Sequence, residues 1–396
     1  MKGKAVLIIG NGFDLALKRK TQYSNFYNSK YCPKWYPAPL IAYLNNWTEK
    51  KESTSIRWMD LENAIQDYAK DRGIDKPFPV HYTEEEFALI KKIYIIPGQN
   101  NNYNFSEKET DLLERMKKEH KIEFEKTTDS YWTFPDIISD MEDFNTYQNS
   151  IKEYESLRSL DDEESKSKRS ELLKQFKERD RKALNEIEEK LAQYLREKVD
   201  CSVLDKENNL AYELLERFWR TYPEGKIYSF NYTSLDALIE EIERKPAQYS
   251  KYRIKYMHGS LDKGHVILGA GTEKDDITYG EWDFLKKSND NQYTPPELVR
   301  DMKEAEHIYI YGHSLNDIDI QYFKYLFNDM QKKEETKEIK IYSLDVQGIK
   351  NNINKISNID DLQMLGINVI DCEEKGPNIL DDYLPHKPYI GPQNVF

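Results

Sequence analysis

Cysteine is scarce in this chain. Cys32, Cys201 and Cys372 are the only three among 396 residues, and they are widely spaced, with no CxxC pair. An odd, scattered set argues against a disulfide scaffold and a zinc site, and fits the reducing cytoplasm. Long apolar runs are missing too. The opening MKGKAVLII starts on basic residues, but its apolar part is too short for a signal-peptide core and soon meets Gly10 and Asp14. No other stretch approaches bilayer length, so no membrane role is expected. There is no G-x-S-x-G elbow and no cysteine in a nucleophilic motif, which places covalent hydrolysis behind non-covalent activation of a bound substrate. Positive charge is in deficit as well. With 71 acidic against 58 basic residues the net charge is −13, so broad binding to nucleic acid is not favoured.

What is present is ample core material: 38% hydrophobic residues, including 29 tyrosines among the aromatics in the whole sequence. This suffices for one large or two ordinary domains. AVLII (5–9) is a continuous apolar run ended by glycine, as in a strand buried on both faces. RWMDLENAIQDYAK (57–70) repeats Trp58, Leu61, Ile65 and Tyr68 at helical spacing. From about 107 to 220 the chain is charged and helical in pattern. Leu172, Leu173, Phe176, Leu184, Ile187, Leu191 and Leu195 form one apolar stripe there, suited to an internal core or to a homo-oligomer. Strand-like runs then return: KIYSFNYT (226–233), YRIKYMHGS (252–260), HVILGAG (265–271), HIYIYGHS (307–314), EIKIYSLD (338–345) and GINVIDC (366–372). The alternation predicts an α/β fold with a mostly parallel, Rossmann-like sheet. Residues 1–50 supply its first strand and glycine loop, 51–220 a large, mainly helical insertion or cap, and 221–396 the remainder.

Four of these runs deliver polar residues at the expected carboxyl edge of the sheet, where open α/β sheets bind ligands. In GNGFD, Gly10 and Gly12 permit a tight turn whose N–H groups suit phosphate or ribose oxygens, although a simple turn needs nothing more. Asp14 would repel phosphate, so a ribose hydroxyl or its own backbone is its expected partner. Asn231 follows the second run, where Thr233 or Ser234 is equally suited to capping the next helix. Asp236 also fits as a first-turn acid favoured by the helix dipole. His258 precedes Gly259 and is the natural proton-transfer residue near neutrality. In GHSLNDID, His313 is the other candidate for proton transfer, while Asp317 and Asp319 suit ribose hydroxyls or a metal, with capping and solvation equally open; two aspartates and a histidine at this spacing are no metal signature.

Taken in order, LIIGNGFDLA (7–16), Thr21 and Tyr23, WMDLE (58–62), SFNYT (229–233), MHGS (257–260) and IYGHSLNDIDIQYF (310–323) resemble the AbiH proteins of bacterial abortive infection. One departure stands out: Leu17, Lys18, Arg19 and Lys20 occupy the place where such proteins typically carry His-Gly before the threonine. More distantly the set is similar to the sirtuin-like NAD-binding superfamily. That resemblance implies a glycine loop around a dinucleotide, an asparagine near the nicotinamide ribose, a histidine base, and a distal loop at 312–317 on the adenosine side. Thr233 stands where many such proteins have an aspartate, and Asp236 is the candidate to compensate. The implied catalytic pair is Asn231 and His258. The implied binding set is Gly10, Asn11, Gly12, Phe13, Asp14, Tyr232, Asp236, Gly259, Gly312, His313, Ser314 and Asp317. The implied activity is NAD glycohydrolysis by an anti-phage protein, with NAD as substrate, no tightly bound cofactor and a phage-derived trigger. Two other readings stay open: a nucleotide sensor without catalysis, and a magnesium nuclease built on Asp14, Glu62, Asp317 and Asp319.

Overall fold

AVLII and five of the six later strand-like runs build one sheet. The computed structural model describes residues 4–33, 36–50, 58–79, 85–86, 88–89, 106–119, 125–126, 132–133, 141–199, 204–244, 250–261, 264–271, 279–290, 297–316, 319–333, 337–357, 362–372, 380 and 384. The strands are β1 (Ala5–Ile9), β2 (Lys226–Ser229), β3 (Ile254–Tyr256), β4 (His307–Tyr311), β5 (Glu338–Ser343) and β6 (Ile367–Asp371). Their spatial order is β3-β2-β1-β4-β5-β6, and every neighbouring pair is parallel. This is the doubly wound order, with its reversal between β1 and β4.

The sixth run behaves differently. In HVILGAG only His265–Val266 forms a strand, pairing antiparallel with Gly259–Ser260. The physical reason is chain length. A parallel crossover needs a dozen or more residues, whereas the short connection after Ser260 permits only a hairpin.

β1 is buried along its whole length. Alternate residues serve different cores. Ala5, Leu7 and Ile9 join Phe13, Leu17 and the helices Leu210–Thr221 and Asp236–Glu243 on one face. Val6 and Ile8 join the helices Leu298–Glu304, Ile320–Lys333 and Val346–Ser357 on the other. Such two-sided burial explains the unbroken apolar run in the sequence.

The described residues divide into two compact units. One, Met1–Phe26, Leu191–Lys274 and Lys286–Phe396, carries the sheet; the other is Tyr27–Lys190 and Asp275–Leu285. The second is the large helical insertion, with Pro39–Lys50, Trp58–Gly73, Met141–Leu157 and most of Glu163–Tyr194. The helix Leu210–Thr221, although within the 51–220 stretch, packs on the sheet.

The stripe on the long helix lies inside the chain's own packing: Leu172, Phe176, Leu184, Ile187, Leu191 and Leu195 are buried and Leu173 half-buried. Asp180 sits on that same stripe, fully buried. It accepts hydrogen bonds from Tyr68 Oη, Trp282 Nε1 and the Leu40 amide. Burial pushes its carboxyl up to about 6, although those donors favour the charged form. Among the described residues no helix is long and apolar enough to cross a membrane.

Candidate active site

Strand register levels the loops that follow the strands. Ile9 lies opposite both Ser229 and Tyr311, and Ser229 opposite Tyr256. The chain therefore leaves the sheet at one height at Gly10, Phe230, Met257 and Gly312. The loops carrying most of the expected site residues start together, beside the point where the strand order reverses.

The loops after β1 and β4 touch backbone to backbone. Gly12 N–H donates to the Gly312 carbonyl at 2.9 Å, and a Cβ on Gly12 would lie 2.6 Å from Gly312 Cα. Gly312 has φ +63°, and a Cβ there would meet the Gly12 backbone at 2.5 Å. The glycines serve this close approach. The Gly10 amide donates to Tyr311, and Phe13's to Gly10. Three amides of the first loop thus already have carbonyl acceptors. Phe13 is core, edge-on to Tyr311. Asn11 is half-buried, with Nδ2 3.5 Å from the Thr21 carbonyl.

Asp14 is 1% exposed and already has partners. Arg19 Nη1 donates to Oδ1 at 3.0 Å, and Thr233 Oγ1 donates to Oδ2 at 2.7 Å. Burial raises its carboxyl above the usual range, against the pull of Arg19 and Thr233. Asp14 therefore ties the first loop to the loop after β2 directly through Thr233, and to the departing segment through Arg19. Leu17, in the place of the usual histidine, is a core residue with no exposure. Asp236 is half-buried at a helix start, and its amide donates to Ser234 Oγ at 3.1 Å. Tyr232 is buried with its hydroxyl on the Ile267 carbonyl.

Asn231 is 5% exposed, and its Nδ2 donates to the Gly10 carbonyl at 3.1 Å. A carbonyl accepts only, so this contact fixes the amide orientation. Oδ1 is then an acceptor, and it has no hydrogen-bond partner. A buried acceptor left this way is costly unless something donates to it.

Phe230 is the hub between the histidines. Its ring centroid is 5.4 Å from His258 and 4.3 Å from His313, both edge-on. His258 Nε2 lies 3.4 Å from Asp319 Oδ1, and His313 Nε2 lies 3.4 Å from Oδ2. The His258 contact lacks hydrogen-bond alignment, leaving Oδ1 unpartnered in that sense. The Leu315 amide donates to His313 Nδ1 at 3.0 Å, so a neutral His313 carries its hydrogen on Nε2, facing Asp319. Burial opposes the Asp319 charge, but His258, His313 and Lys287 outweigh it and hold the carboxyl well below the usual range. Gly259, at φ +77°, turns the chain after His258; a Cβ there would lie 2.3 Å from the His265 carbonyl. Ser314 is half-buried, its carbonyl accepting from Asn352. Asp317 lies outside the described residues.

Lys287 completes the cluster, and nothing in the sequence points to it. It is 3% exposed, with Nζ 3.3 Å from both ring nitrogens of His258. Its segment carries no recognisable motif, so only proximity reveals it. From the sequence Asp319 is a candidate for ribose hydroxyls, a metal or the nuclease alternative; the structure places it between the two histidines. For that alternative, Asp14 is committed to Arg19 and Thr233. Among the described residues no three acidic, histidine or cysteine groups are arranged to hold a metal. A family model described as "Bacteriophage abortive infection AbiH" matches residues 6–341. No curated protein and no solved structure matches the chain.

Proposed function

Since the chain belongs to the AbiH family of bacteriophage abortive infection proteins, we propose that it acts against phage by binding NAD or a related nucleotide and cleaving its N-glycosidic bond. The observation carrying this reading is the convergence of His258, His313 and Asp319 beside Asn231, at the carboxyl edge of a sheet in β3-β2-β1-β4-β5-β6 order. The resemblance to sirtuin-like dinucleotide sites supports the choice of NAD.

In this mechanism Asn231 Oδ1 accepts a ribose hydroxyl and orients the sugar. The bond from ribose to nicotinamide breaks and an oxocarbenium-like ribose forms. Water adds to that carbon, and His258 takes its proton as general base. Asp319, held ionised, lies 3.4 Å from His258 Nε2 and stabilises the imidazolium. The balance is NAD⁺ plus water giving ADP-ribose, nicotinamide and one proton. Phosphate recognition falls to side chains, since the Gly10, Gly12 and Phe13 amides already donate to carbonyls.

The test is nicotinamide release from NAD by purified protein, with and without phage-derived activators. Release should fall about 100-fold or more in H258A. No release by the wild type under any condition overturns the reading. A nucleotide sensor without catalysis is the second reading. It is favoured by one observation, that each ring nitrogen of both histidines already faces a protein group.

A further inference from the structure

We propose that Thr21 and Ser24 are specificity-determining residues of this site, whose hydroxyls bind the ribose of a nucleotide together with Asn231 and select it over 2-deoxyribose. This rests on the reading that the loops past the sheet bind a nucleotide. It goes beyond that reading in naming two residues and the sugar they distinguish.

Both hydroxyls are buried and have no local use. Thr21 is 2% exposed and Ser24 5%, and neither side-chain oxygen has a hydrogen-bond partner. A threonine just ahead of a helix ordinarily caps its first amides, and a serine in the first turn ordinarily bonds back to an earlier carbonyl. The helix here starts at Tyr23, and neither bond is made. A buried hydroxyl left this way is costly unless a polar group meets it.

Side-chain contacts join this segment to the first loop, and the first loop to Asn231. Arg19 donates to Asp14 at 3.0 Å, and Asn11 Nδ2 lies 3.5 Å from the Thr21 carbonyl. On the same loop, the Gly10 carbonyl accepts from Asn231 and Asp14 accepts from Thr233. Buried polar atoms without partners recur along these three bonded segments: Arg19 Nε, Thr21 Oγ1, Ser24 Oγ and Asn231 Oδ1. Their chemistry narrows the ligand group. Nε only donates, Oδ1 only accepts, and the hydroxyls do both. An anion suits Nε but not Oδ1, and a cation suits Oδ1 but not Nε. The vicinal hydroxyls of ribose donate and accept, so they suit the whole set. Asn231 Oδ1 takes one hydroxyl of the sugar, and Thr21 and Ser24 share the diol with it. A sugar lacking its 2-hydroxyl leaves protein groups buried and unmet, which is the physical basis of the discrimination.

The test is calorimetric titration of the full chain with ADP-ribose and with ADP-ribose lacking the 2-hydroxyl of its terminal ribose. The wild type should bind the first about ten-fold more tightly. T21V and S24A, which remove one hydroxyl each, should weaken ADP-ribose binding about five-fold or more, and the double variant should bind both ligands alike. All three variants should unfold in urea no earlier than the wild type, because no bond within the chain is lost. A wild type that binds the two ligands equally, or a double variant that keeps the preference, overturns the inference. So does an early urea midpoint in the variants, which would assign the hydroxyls to the fold, or weaker binding of nicotinamide alone, which would assign them to a carboxamide. Nicotinamide release from NAD without a ribose preference removes this inference and leaves the cleavage reading. A ribose preference without nicotinamide release does the reverse.

Discussion

Gly312 shows what single residues decide here. Its left-handed φ and its contact with the Gly12 backbone each exclude a side chain. G312A should destabilise the protein by at least about 2 kcal/mol in urea unfolding. G12A, which meets the same clash without the φ penalty, should lose less; a G312A protein as stable as wild type would contradict the argument. From sequence, the glycines mark a turn but not which other loop presses on it. Asp14 teaches the same lesson. Its position beyond the glycines is legible, whereas its two partners lie five and 219 residues away and are not. Lys287 is the extreme case, a lysine in a polar stretch that becomes significant only beside His258.

At the scale of elements, much is written in the local pattern. β1 reads as a two-sided buried strand because five consecutive apolar residues leave no polar face. The long helix reads from its stripe, and the spacing of 172, 176, 180 and 184 alone puts Asp180 on the apolar face. What spacing does not reveal is which donors await that carboxylate. HVILGAG has the composition of a sheet strand, but composition ignores the length of the preceding connection, and the run forms a hairpin arm instead. The helix Leu210–Thr221 is set by its cap: Asn209 Oδ1 accepts from the Ala211 and Tyr212 amides, while Nδ2 donates to the Ala16 carbonyl at 2.8 Å. N209A should therefore cost about 1 kcal/mol or more, read from the urea midpoint. An unchanged midpoint would mean that the cap carries no net stability.

For the molecule as a whole, pH is the sharpest probe, because Asp180 and Asp319 are displaced in opposite directions. The Asp319 carboxyl is lowered, so its contribution is present above the unfolded value and is lost only as strong acid protonates it. Asp180 is raised from 3.8 to about 6, so its contribution is full below the unfolded value and is lost as pH rises through about 6. Between pH 7 and pH 5 the wild type should gain about 1 kcal/mol from this group. D180N, which cannot titrate there, should lack that increment when the two pH-dependent stabilities are compared. Equal pH dependence in both proteins would show that Asp180 ionises normally.

The sequence by itself determined the α/β alternation, the strand segments of the sheet, the helical character of the insertion and the polar residues just past each strand. These are properties of neighbouring residues, set by periodicity and turn chemistry over a few positions. Only the tertiary structure decided the strand order, the common height of four loops, the pairing of Asp14 with Arg19 and Thr233, and the chain of Lys287, His258, Asp319 and His313. Those depend on parallel register between strands far apart in sequence, where the alignment of one backbone with another chooses which side chains meet.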